Sequence, residues 1–143
     1  MKLKPVVGLV LLLLVALAVV GPGCVAATGG GWFVNEADGA LVTFGFNAQP
    51  IDDGPNTARG QFQLVDHGTR PPTRIHGEFT ATYSNAIVGY QGMCSIDGED
   101  GHSFLVSIVE EGDGPKLVLY LDGEVDPAYK GVLGGGTIRG HER

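Results

Sequence analysis

The stretch Arg74-Ile-His-Gly-Glu-Phe-Thr-Ala-Thr-Tyr83 decides how this chain folds. In an extended backbone Ile75, Phe79, Ala81 and Tyr83 fall on one side and His76, Glu78, Thr80 and Thr82 on the other, because successive strand side chains point to opposite faces. The same alternation continues downstream. Over residues 86–97, Ala86, Val88, Tyr90, Cys94 and Ile96 share a face, with Gly89, Gln91 and Ser95 opposite. Phe104, Val106 and Ile108 alternate with Leu105, Ser107 and Val109. Leu117, Leu119 and Leu121 alternate with Val118 and Tyr120, so both faces of that strand are expected to be covered. Four more strands are expected at 30–34, 40–48, 60–66 and 131–140. Turn signals stand between the strands at Asp38-Gly39, Asp52-Asp-Gly-Pro55, Arg70-Pro-Pro72, Asp97-Gly98 and Glu111-Gly-Asp-Gly-Pro115. Gly134-Gly-Gly136 marks a bulge or a close backbone crossing. No stretch after Ala27 holds a helical period for three turns. About eight strands at this spacing predict an all-β domain, a single compact antiparallel sandwich or barrel.

Composition narrows the class further. The 143 residues suit one domain, and 24 glycines with no Gly-X-Y period accompany an apolar share of 43%, which excludes both collagen and a disordered linker. Upstream of the strands, Met1-Lys-Leu-Lys4 is a basic lead-in to the apolar run 6–20, and Gly21-Pro-Gly23 breaks that run. This is the layout of an export signal, short of the roughly 20 residues of a membrane-spanning helix. Two processing sites are open. Val25 and Ala27 suit cleavage after Ala27, which makes 1–27 the signal peptide and 28–143 the domain. Alternatively 1–23 is a lipoprotein signal and Cys24 is lipidated, although Gly21 stands where such a motif usually has Leu. Lys2 and Lys4 leave with the signal, so 7 Lys and Arg face 16 Asp and Glu, a net charge of −9. That balance argues against nucleic acid as a partner and against electrostatic docking on an anionic membrane. The expected location is secreted, periplasmic or cell-surface, with the membrane reached only through a lipid at Cys24.

Several segments, in order, resemble an exported bacterial all-β domain of the post-COAP type. They are Thr28-Gly-Gly-Gly-Trp32, Thr43-Phe-Gly-Phe-Asn-Ala48, the run Gly60 to Asp66-His67, then His76-Gly77, and Gly131-Val-Leu-Gly-Gly-Gly-Thr-Ile138. Related modules often carry a second cysteine shortly after the position of Cys94, where this chain has His102-Ser103. The resemblance implies export and a β-fold. It implies no reaction and supplies no catalytic residues.

Candidate sites follow from residue chemistry. With Cys24 removed or lipidated, Cys94 lacks an intramolecular partner and reads as a small buried hydrophobe. Asp66-His67 and Ile75-His76 flank the Arg70-Pro-Pro72 loop. If the two imidazoles oppose each other across it, His67 and His76, with Glu78 on the face of His76, form a set that zinc would accept. Asp66, His67, His76 and Glu78 are therefore the candidate binding residues, and His67 and His76 the weak metal candidates. Asp97-Gly-Glu-Asp100 and Glu110-Glu-Gly-Asp113 offer oxygen ligands without the calcium-loop pattern and read first as solvated hairpin tips. The serines lack a G-x-S-x-G elbow, and neither glycine triplet is a phosphate loop. Trp32, Phe33, Phe44 and Phe46 could stack on a sugar or peptide, but at strand spacing they read first as core. The function expected from all this is a non-catalytic structural or binding module that contacts protein or glycan and needs no cofactor. The alternatives are a metal-dependent enzyme at His67, His76 and Glu78, and a small-ligand carrier inside a barrel.

Overall fold

The computed structural model describes residues 25–51, 57–82 and 88–142. The export segment, Cys24, Tyr83, Ala86 and the turn at 52–55 lie outside the described residues. Eight strands follow one another: β1 (Val25–Val34), β2 (Leu41–Pro50), β3 (Ala58–Asp66), β4 (Thr73–Thr82), β5 (Val88–Ile96), β6 (Glu99–Glu111), β7 (Gly114–Leu121) and β8 (Tyr129–Glu142). Each pairs antiparallel with its sequence neighbours, and β8 pairs back onto β1, so the sheet is a closed barrel. Of the two all-β architectures left open by the strand pattern, closure selects the barrel. β1 starts at Val25, three residues ahead of the expected domain start at Thr28. Ala27 is fully buried and is paired with Ala48 on one side and Gly140 on the other.

Closure is made by the two glycine triplets. Gly30 pairs with Thr137, Gly31 with Gly136 and Trp32 with Gly135, and then the register slips so that Phe33 meets Leu133. This is the bulge anticipated from Gly134-Gly-Gly136. At the crossing the backbones approach too closely for side chains. A Cβ on Gly31 would drive into the Gly135 carbonyl, and one on Gly136, whose φ is +98°, into the Gly30 carbonyl. Only glycine fits such a contact and such a φ.

All six phenylalanines point inward: Phe33, Phe44, Phe46, Phe62, Phe79 and Phe104. Their rings form a connected set, with Phe62 stacked on Phe104 at 5.4 Å and Phe79 reaching Phe46, Phe104 and Tyr90 at 6.5, 5.6 and 5.1 Å. Such ring pairs contribute beyond the area they bury. Leu64, Ile75, Leu117 and Leu119 fill between them. The rings fit because inward glycines lie beneath them; a Cβ on Gly77 would sit 2.5 Å from the Phe104 ring. Among the described residues the lumen is thus occupied by side chains. On the β6–β7 wall the outward Ser107 and Val118 are also buried, while Leu105, Val109 and Tyr120 are half-buried, so the outer face there is only partly covered.

One mouth of the barrel, at the β1–β2, β3–β4, β5–β6 and β7–β8 turns, is closed by polar groups. Asp66 ends β3 facing inward, and its carboxylate accepts hydrogen bonds from the Tyr129 hydroxyl (3.0 Å) and the Gly68 amide (2.8 Å). The first of these bonds is buried and joins β3 to β8 across the mouth. Burial, and then the Asp66 carboxylate, push the Tyr129 hydroxyl well above the ordinary tyrosine value. Asn35 accepts from the Lys130 amide and donates to Asp38. Removing one partner of a buried polar pair leaves the other undersolvated, at a cost of about 1–3 kcal/mol. Tyr129→Phe should lower the urea midpoint by a corresponding amount, with an unchanged denaturant slope. A midpoint equal to that of the parent would contradict the bridge.

Candidate functional site

The four residues singled out in the sequence do not form one cluster. Asp66 faces the interior, where Tyr129 and Gly68 occupy its carboxylate. His67 lies just beyond β3 on the exterior, with Nε2 in a hydrogen bond to Thr43 Oγ1 at 3.1 Å. His76 and Glu78 are exposed on the outer face of β4. The two imidazoles do not oppose each other across the hairpin. The β3–β4 register pairs His76 with Gln63, not with His67. His67 lies four positions along the chain from Gln63, roughly 14 Å at 3.4 Å per residue. A single ion cannot bridge that gap. Among the described residues, no group of three or more His, Cys, Asp or Glu side chains is placed to hold a metal ion.

The sheet registers bring other residues together on the outside. One row runs across Thr137, Gly30, Gly45, Gln63, His76 and Ser95, from β8 through β1, β2, β3 and β4 to β5. The next row toward the closed mouth runs across Gly135, Trp32, Thr43 and Val65. Phe33, Phe44 and Phe46 are core, as their spacing indicated, but Trp32 is not. It is 42% exposed on the outer face. Its indole lies over the β8 bulge: a Cβ on Gly134 would collide with the six-membered ring, and one on Gly135 would sit 2.5 Å from Nε1. Glycine at both positions lets the indole lie down on the sheet and leaves its other side to solvent. Val34 and Leu41, paired with each other and both exposed, continue the apolar surface toward His67.

Beside this platform the outer face turns polar. Gly45, Asn47, Gln61, Gln63 and His76 line a recess of about 170 Å³. It shares Asn47 and Gln61 with a wider one of about 680 Å³, which extends to Thr28, Gln49, Arg59 and Glu78. The Asn47 side-chain carbonyl accepts from the Gln61 backbone N–H. A different groove of about 630 Å³ lies over β5–β7, lined by Met93, Leu105, Val109, Val118 and Tyr120. Thr80, Gln91, Ser103, Ser107 and Glu124 add polar groups to its lining.

Two titratable groups stand at the closed mouth. His102 Nδ1 lies 2.9 Å from Asp122 Oδ2, and its Nε2 lies 3.9 Å from Glu99. The hydrogen bond to Asp122, then the charges of Asp122 and Glu99, raise the imidazole above its ordinary 6.5. The hydrogen bonds from His102 and from the Ser103 amide hold Asp122 below its ordinary 3.8. Cys94 is paired with His102 across β5 and β6. Its thiol is buried, and burial, followed by the Asp122 charge, raises it to about 11. A nucleophilic thiol needs the reverse shift.

Compared with protein-family models, curated proteins and solved structures, the chain matches none of them.

Two outcomes follow from the mouth geometry. Native Cys94 should not react with a thiol reagent at pH 8 on a timescale on which the urea-unfolded chain reacts fully; equal rates would contradict the buried thiol. The His102–Asp122 pair stabilises fully above the unfolded carboxylate value and below the unfolded imidazole value. Its contribution is lost as pH rises through the raised imidazole pKa or falls through the lowered carboxylate pKa. The stability lost in His102→Gln should therefore be larger at pH 5 than at pH 9, measured by thermal midpoints. A loss independent of pH would refute the pairing.

Proposed function

We propose that this chain is an exported, non-catalytic binding module that meets its partner through the outer face of β1–β4 around Trp32. The observation that carries this reading is the single tryptophan, laid on a bed of glycines and left open to solvent beside Val34 and Leu41. Tryptophan is the residue type most enriched at the energetic centres of interfaces. A filled lumen favours a surface contact over carriage of a small ligand inside the barrel. The separation of His67 from His76, and a thiol held protonated, weigh against the catalytic alternative. Resemblance to the post-COAP type agrees with export.

The start of β1 bears on processing. Cleavage after Ala27 would remove Val25 and Ala26, which are paired with β8, and Ala27, which is paired with both β2 and β8 and is fully buried. Processing ahead of Cys24 keeps the strand whole and leaves a lipidated cysteine directly before it. We favour this second site, which tethers the barrel at the end opposite its closed mouth and leaves the Trp32 face free.

Retention of the purified domain on isolated cell envelopes tests the contact surface. Trp32→Ala should lower retention at least tenfold, about 1.4 kcal/mol. Met93→Ala, at an exposed apolar position on a different part of the wall, should not. Equal retention of all three proteins would refute the reading.

A further inference from the structure

We infer that the ligand of this face is a neutral glycan chain, laid across the strands from the Trp32 indole to Gln63 and His76. This deepens the binding-module reading and rests on it. The row next to that of Trp32 starts at Thr137 on β8 and has no side-chain bulk at Gly30 and Gly45, which pair directly and form a bare floor between β1 and Gln63. A sugar presents two kinds of surface. Its ring C–H face is apolar and carries partial positive charge, which suits the negative face of an indole. Its hydroxyls both donate and accept, which suits carboxamides that do the same. Both surfaces are met here in sequence. The Gln49, Gln61 and Gln63 amides have no side-chain hydrogen bond to any described residue and stand exposed at the two joined recesses. The His76 ring closes the far end of the smaller recess. The net charge of −7 disfavours an acidic glycan.

Length is part of the inference. From Thr137 on β8, next to the indole, to His76 on β4, the row crosses four strand spacings, roughly 19 Å along the curved wall of the barrel. One sugar cannot touch both ends, so affinity must grow with chain length until the span is filled.

The floor also provides the test. A Cβ on Gly45 would lie 3.9 Å from the nearest backbone oxygen and 4.0 Å from Gln63 Nε2, and no positive φ constrains the position. Gly45→Leu therefore obstructs the strip without straining the sheet, and Gln63→Ala removes one exposed amide. Trp32 is the only tryptophan, so its emission reports on the platform directly. The full domain and both variants are titrated with β-1,4-linked glucose and N-acetylglucosamine oligomers of one to six units, after a screen on an array of neutral and acidic glycans. The expected result is a saturable emission change with a neutral oligomer, tightening with length. Affinity should fall at least tenfold in Gly45→Leu and in Gln63→Ala at unchanged thermal midpoints. Response to acidic glycans alone, no response to any glycan, or equal affinity in parent and variants overturns the inference. Envelope retention that still depends on Trp32 would then leave the binding-module reading standing; retention indifferent to Trp32 would remove both.

Discussion

The close approach of β1 and β8 is the constraint on which the rest depends. Gly31 and Gly136 meet where neither can carry a Cβ, and the slip in register beside them absorbs Gly134 as a bulge. A closed sheet needs its first and last strands in contact, and without that contact both would be open edges prone to foreign pairing. The same glycines have a second effect on the outside. With no side chains of their own at Gly134 and Gly135, they leave a flat bed for the Trp32 indole. Barrel closure and the exposed aromatic platform are thus two results of one sequence feature.

What closure does to the inside determines where function can reside. Six phenylalanines and Tyr90 fill the lumen in contact with one another, and the closed mouth is held by Asp66, Tyr129 and Asn35. The polar groups there already have protein partners, and the buried thiol is held protonated. The exterior differs, since Gln49, Gln61, Gln63 and the single indole are exposed to solvent. A small barrel with a packed core is a rigid support, and rigidity limits the entropy lost when a partner binds such a surface.

Much of the fold was legible because alternation is a local property. The pattern in 74–83 and 104–109 needs no knowledge of neighbours, and the eight expected strands overlap the eight observed. Barrel against sandwich was not legible, because it depends on which edges meet over a separation of a hundred residues. The two glycine triplets were visible, but their contact was not. The candidate site was less readable still. His67 and His76 looked opposed because both flank one loop, whereas the register places Gln63 opposite His76 and leaves His67 beyond the strand end. Asp66 was grouped with them by sequence adjacency, although Asp66 and His67 must face opposite ways. Trp32 was grouped with the core aromatics, yet the same rule held the signal that could have placed it. Trp32 and Phe33 are neighbours on one strand, so if Phe33 is core, Trp32 is outside.

The central claim is that the β1–β8 seam presents Trp32 flat over Gly134 and Gly135. The most direct measurement is the proton NMR shifts of those two glycine Hα pairs, with NOEs to the indole. The account predicts strong upfield ring-current shifts at both glycines, NOEs to the indole ring, and loss of the shifts in Trp32→Ala. Ordinary glycine shifts, unchanged by that substitution, would contradict it.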